Sequence, residues 1–159
     1  KMVKGACVFD IDKTLTCKGQ CNRQKIQHMK NSINACKQND FKVVVNTARP
    51  PQPSILHGIH PDIQALLKNT KVYTRKESST NSVPEDKLKH MKTIAKKLNV
   101  PLQKTVLVDD LLETCRYVNK MGGTAIHVKN ESGIDSSELQ EIHKFHTPFI
   151  GFIFEIEFL

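Results

Sequence analysis

Asp10 and Asp12 stand two residues apart just after the apolar run 6–9, with Thr14 two positions further on. In an extended segment, residues i and i+2 leave the backbone on the same side, so the two carboxylates face one point in space. Held that close they repel, and a bound cation relieves the repulsion. Two further acids, Asp109 and Asp110, follow another apolar run at 105–108. Magnesium takes oxygen ligands, usually one or two carboxylates with waters and a substrate phosphate. Four acids without a histidine or cysteine cluster therefore favour magnesium over zinc. A carboxylate that faces a metal-bound phosphoryl group can attack in line, giving an acyl-phosphate that water then hydrolyses. A second acid is needed to protonate the leaving oxygen and later to activate that water. Asp10 and Asp12 divide those two tasks, while the cation and a lysine offset the charge in transit. A third polar cluster, Asn46, Thr47 and Arg49, follows the apolar run 41–45. Arg49 can fork onto a second phosphate or a carboxylate of the substrate, or pair with a surface acid.

Each cluster alone has an ordinary explanation. An aspartate after a strand is usually a turn residue, and a pair of aspartates before a helix can cap it. Three such clusters after three apolar strands are not explained that way.

The elements that must position them follow from the alternation of short apolar runs with helical periodicity, the signature of a parallel α/β sheet. Strands are expected at 6–9, 41–45, 72–74, 105–108 and 125–128. Between them lie helices at 22–39, where Ile26, Met29, Ile33 and Cys36 recur at three- and four-residue steps, and at 62–68, 84–98 and 111–120, with another at 136–144. The expected architecture is a three-layer, Rossmann-like sheet with helices on both faces. In such a sheet the carboxyl ends of all strands open onto one edge, where ligands bind, so clusters remote in sequence converge.

The 159 residues suit one domain spanning 1–159, with 130–159 as a less certain C-terminal extension. The apolar tail 149–159 reads as an added edge strand or as an exposed segment that seeks a partner, with the edge strand favoured. No apolar run approaches the roughly 20 residues needed to span a bilayer, and no apolar stretch of signal-peptide length precedes Asp10. The expectation is an intracellular, cytoplasmic protein with no membrane partner. Five cysteines, an odd number, read as reduced thiols, with Cys7 and Cys36 in the core. Cys17 and Cys21 resemble half of a metal site, but no second pair at comparable spacing completes it, which argues against zinc. Lysine and arginine total 24 against 16 acids, a formal charge of +8, which favours acidic partners such as nucleic acid or phosphoprotein. His57, His60 and His90 read as scattered surface histidines.

The segment Phe9-Asp10-Ile11-Asp12-Lys13-Thr14-Leu15 resembles the first motif, DxDxT, of the haloacid dehalogenase superfamily of phosphatases. Val43–Thr47 resembles the second motif and Val106–Asp110 the fourth, in its double-aspartate form. Lys87-Leu88-Lys89-His90-Met91 resembles the K-x-x-H-F run of the small magnesium-dependent phosphatases of that superfamily, which selects Lys87 over Lys89. The resemblance implies that Asp10 is nucleophile and magnesium ligand. Asp12 is then the acid/base, with its backbone carbonyl on the metal, and Thr47 and Lys87 hold the phosphoryl oxygens. Asp110 ligates the metal directly, with Asp109 behind it. Lys13 departs from the pattern, since many relatives carry glycine there. The intervals between motifs leave no room for a large cap domain. An uncapped site implies a macromolecular phosphate, a phosphoprotein or a nucleic-acid end. A small sugar or nucleotide phosphate and a noncatalytic phosphate-binding scaffold are the competing readings.

Overall fold

The computed structural model describes residues 2–130 and 132–147. Five strands form one sheet: β1 (Gly5–Phe9), β2 (Phe41–Asn46), β3 (Val72–Tyr73), β4 (Thr105–Asp109) and β5 (Thr124–His127). The order is β3-β2-β1-β4-β5 and every pairing is parallel, which puts β1 and its Asp10 segment at the centre. Five helices connect or flank the strands: α1 (Arg23–Gln38), α2 (Pro61–Leu66), α3 (Val83–Leu98), α4 (Leu112–Lys120) and α5 (Ser136–His146).

Successive strand residues point to opposite faces of a sheet, and the apolar runs therefore feed two cores. Cys7, Phe9, Val43, Val45, Val106 and Val108 pack with Met29 and Ile33 of α1, Ile63 of α2 and Ile142 of α5. Ala6, Val8, Val44 and Leu107 pack on the other face with Met91 and Ile94 of α3 and Val118 of α4. Full burial of such a side chain contributes about 1.5–3 kcal/mol. The three-layer architecture is as expected, and no large cap domain is inserted among the described residues.

Helix ends follow local chemistry. Asn22 caps α1 by accepting from Lys25 N, and a capping box of Ser82 and Glu85 opens α3 with Pro84 in its first turn. Asn99, in the left-handed region at φ 55°, closes α3 before Pro101. The less certain extension contributes α5, whose Ile142 is fully buried in the first core. The tail 149–159 lies outside the described residues. None of the described helices is long and apolar enough to cross a membrane.

The cysteines correct one expectation. Cys7–Cys36 and Cys17–Cys21 are disulfides, and only Cys115 is free among the described residues. The fold brings each pair within bridging reach, with Cα atoms 6.3 and 5.3 Å apart. An odd count leaves one thiol over without forbidding two bridges. Parity is thus no argument for a reducing compartment, and Cys17 and Cys21 are not half of a metal site.

Candidate active site

The three polar clusters meet at the carboxyl edge of β1, β2 and β4. The sheet ladder extends into them: Asp10 N donates to Val108 O at 3.0 Å, Thr47 N to Tyr73 O at 2.9 Å, and Val128 N to Asp109 O at 2.8 Å. Beyond β1 the chain turns sharply. Lys13 sits at φ 61°, a conformation that costs an L-residue about 1 kcal/mol and that glycine adopts freely. Thr14 Oγ1 donates to Asp10 Oδ2 at 3.2 Å.

Lys87 arrives from α3. It is 2% exposed, and its Nζ lies 2.7 Å from Asp10 Oδ1 and 2.5 Å from Asp109 Oδ2. A buried ammonium is tolerable only when paired. Burial opposes its charge, but the two carboxylates raise its pKa above the ordinary lysine value. Lys89, two residues away, is exposed. Asp109 is fully buried, and its second oxygen accepts from Leu111 N at 2.9 Å. Both of its oxygens are thus engaged by the protein, whereas Asp110 is only half-buried.

Asp10, Asp109 and Asp110 each place a carboxylate oxygen within 4.8 Å of the others. One lysine does not balance three acids. Burial pushes Asp10 up to about 8; Lys87 opposes this, and Asp109 and Asp110 add to it. Burial and then Asp109 also raise Asp110. The cluster is short of positive charge, and its all-oxygen donor set fits a hard divalent cation such as magnesium.

Asp12 lies differently. Its Oδ2 accepts from Arg49 Nε at 3.0 Å and its Oδ1 from Arg49 Nη2 at 2.8 Å. Hydrogen bonding from the guanidinium holds its carboxyl below the usual range. Thr47 is buried, and its Oγ1 accepts from Arg49 N at 3.1 Å, which leaves its hydroxyl proton to donate.

Two supports escaped the sequence reading. His90 is not a scattered surface histidine: half-buried, it bonds through Nδ1 to Asn46 Oδ1 at 2.9 Å, while Asn46 Nδ2 donates to the carbonyl of Lys87 at 3.1 Å. The end of β2 thereby fixes the turn of α3 that carries the lysine. Asn46 directly precedes Thr47, but nothing local signals a bond to residue 87. Gly133 is the second support. It sits at φ 84°, and a Cβ there would lie 2.3 Å from Met29 Cε and 2.8 Å from Thr16 O. Its neighbour Ile134 donates from N to Thr14 O at 3.0 Å. His57 bonds through its carbonyl to Arg49, and His60 caps α2, so neither joins a metal cluster. Burial pushes the Cys115 thiol up to about 12, which removes it as a nucleophile.

No family model matches the sequence, and no curated protein matches it either. Solved structures do. An uncharacterised protein from Corynebacterium glutamicum superposes with a TM-score of 0.63 at 16% identity, over 90% of this chain and 95% of that one. The core domain of a candidate phosphoglycolate phosphatase from Streptococcus pneumoniae superposes at 0.52 and 13% identity, over 90% and 97%. At these identities the likeness concerns the fold alone, an all-parallel α/β sheet covered by helices.

Proposed function

We propose that this chain is a magnesium-dependent phosphomonoesterase acting through a phosphoryl-enzyme on Asp10. The observation that carries the reading is Lys87, buried between Asp10 and Asp109 at 2.7 and 2.5 Å with an exposed acid, Asp12, two residues from Asp10. A buried ion triad is weak as a stability device, because desolvation offsets most of the Coulomb gain. At the ligand-binding edge of a parallel sheet it suits a site that handles charge.

Asp10 and Asp110, with the main-chain carbonyl of Asp12, would hold the metal, and Asp109 would orient Lys87 from behind. What a bound magnesium supplies is neutralisation of the phosphoryl oxygens, so that an anionic nucleophile can approach. A carboxylate oxygen of Asp10 attacks phosphorus as the bond to the leaving oxygen breaks, and protonated Asp12 delivers its proton to that oxygen. Asp12, now a carboxylate, takes a proton from water as that water attacks phosphorus. The bond to Asp10 breaks, releasing phosphate and restoring the acid. Thr47 donates its hydroxyl proton, and Lys87 its ammonium protons, to the phosphoryl oxygens; Arg49 contacts the substrate beside them.

The absence of a large cap among the described residues and the 59% exposure of the Asp12 side chain support a macromolecular phosphate, a phosphoprotein or a nucleic-acid end, over a small sugar or nucleotide phosphate. The +8 charge agrees with this. So does a polar recess of about 240 Å³ lined by Arg75, Lys76, Ser78, Lys89 and His90. The test is hydrolysis of an aryl phosphate with magnesium by wild type and Asp10→Asn, with acid-quenched enzyme analysed for a phosphoryl adduct on Asp10. Turnover that survives Asp10→Asn overturns the nucleophile. Absence of turnover on any phosphomonoester favours a noncatalytic phosphate-binding scaffold instead.

A further inference from the structure

The guanidinium of Arg49 is held from two sides, and only one of them is Asp12. Its Nη1 donates to the carbonyl oxygens of Ile55 at 2.9 Å and His57 at 2.8 Å. The loop that offers these carbonyls is itself braced by His57 Nδ1 against Ser54 O at 2.9 Å. The opposite edge, Nε and Nη2, is the one that takes both oxygens of Asp12. Exposure separates the fixed member from the movable one: the Arg49 side chain is 11% exposed and that of Asp12 59%. The arginine is built into the 54–58 loop, and the acid is laid upon it.

This arrangement conflicts with the work assigned to Asp12. An acid that protonates a leaving oxygen must turn one carboxylate oxygen toward the phosphoester, and here both oxygens are occupied by the guanidinium. When Asp12 turns away, Arg49 stays where its two carbonyl partners hold it. Its Nε–H and Nη2–H then face the space the carboxylate has left. A guanidinium edge in that state calls for an anion with two oxygens at fork spacing, and both phosphate and carboxylate meet that requirement.

We propose that the Nε/Nη2 edge of Arg49 is a second anion subsite, filled by an oxyanion group of the substrate beside the scissile phosphate, and that this group displaces Asp12 and frees it for proton transfer. The inference rests on the phosphomonoesterase reading for the role of Asp12, but the subsite itself is a binding property. The substrate class is a phosphomonoester with a neighbouring phosphate, phosphodiester or carboxylate. Asp12 occupies the fork of the resting enzyme as an internal stand-in for that group.

The test compares binding of propylphosphonate, which has one anionic group, with propane-1,3-diylbisphosphonate and 4-phosphonobutanoate, which carry a second phosphoryl or carboxylate group. Titration calorimetry with magnesium present is run on wild type, Asp12→Ala, Arg49→Gln and the double variant. Removing the internal competitor by Asp12→Ala should tighten the two-anion probes about tenfold more than propylphosphonate. That selective gain should vanish when Arg49→Gln is added, and Arg49→Gln alone should bind one- and two-anion probes with nearly equal affinity. Whichever two-anion probe shows the larger gain identifies the group as phosphoryl or carboxylate. Equal tightening of all probes by Asp12→Ala, or a gain that persists without Arg49, overturns the subsite. Hydrolysis of propyl phosphate and propane-1,3-diyl bisphosphate by wild type separates the two claims. Selective binding without turnover leaves the subsite standing and removes the phosphatase reading; turnover without selectivity does the reverse.

Discussion

The ammonium of Lys87 lies 2.7 Å from Oδ1 of Asp10, although 77 positions separate the two residues in the chain. The pair is buried from both sides, and the lysine shares its charge with Asp109. The relation ties α3 to β1 and β4 at the point where the chemistry is assigned.

Replacing Lys87 by methionine keeps the volume and removes the charge, which leaves two buried carboxylates without their cation. Loss of one partner from a buried ion pair typically costs about 3–5 kcal/mol. Urea unfolding of Lys87→Met at neutral pH should show a loss of about that size, and phosphatase turnover should fall to background. A variant as stable as wild type would mean that the triad carries no net charge-pairing energy.

Asn46→Ala removes the donor to the Lys87 carbonyl and the acceptor for His90, both at or below 3.1 Å. Leaving such partners unsatisfied costs about 1–3 kcal/mol. The expected kinetic result is a drop in kcat of about tenfold or more with a smaller change in KM, because Lys87 is misplaced rather than lost. Equal losses in stability and no kinetic change would make Asn46 a purely structural residue.

Asp86 gathers three donors at the start of α3: Ser79 Oγ at 2.6 Å, Arg75 Nε at 2.9 Å and Asn81 Nδ2 at 3.0 Å. The Ser79 hydrogen bond leads in lowering its pKa below the ordinary 3.8, with Asn81 and Arg75 adding to it against burial. A depressed folded-state value means that the ionised form stabilises the fold. The contribution is complete above the unfolded value and disappears as pH falls through the folded one. Wild type should therefore exceed Asp86→Asn by about 1–3 kcal/mol at pH 7. The gap should close below pH 3.8 in acid unfolding curves. A gap independent of pH would show that shape rather than charge is responsible.

Gly133→Ala places a methyl group 2.8 Å from Thr16 O and 2.3 Å from Met29 Cε at a backbone φ of 84°. The methionine can shift; the carbonyl belongs to the loop that follows Asp10. A loss of about 2 kcal/mol is expected from the strain and the contact together. Because Ile134 holds Thr14 O, turnover should fall as well. Thermal melts read with and without magnesium would separate a shifted loop from simple destabilisation.

Much of this molecule was legible in its sequence because the signals are local. The continuous apolar runs 6–9, 41–45 and 105–108, buried on both faces, and the stripe Leu88, Met91, Ile94, Ala95 on α3 specify which surfaces are apolar, and burial then follows from the hydrophobic effect. The DxDxT spacing put Asp10 and Asp12 in one loop, and the parallel order carried Thr47 and Asp109 to the same edge. Lys87 was selected by resemblance, and it lies beside Leu88 on the buried side of α3.

Tertiary structure alone decided how those residues are engaged. Charge and spacing do not reveal that Arg49 holds Asp12 by both oxygens, since its loop partners Ile55 and His57 have no signature of their own. Nor do they reveal the bond from Asn46 to residue 87, the return of Gly133 beneath Thr14, or which cysteines would pair. The physical reason is the same in each case. Periodicity reports what a residue does to its own element, whereas these contacts exist only after loop closure has brought distant segments within hydrogen-bonding or bridging distance.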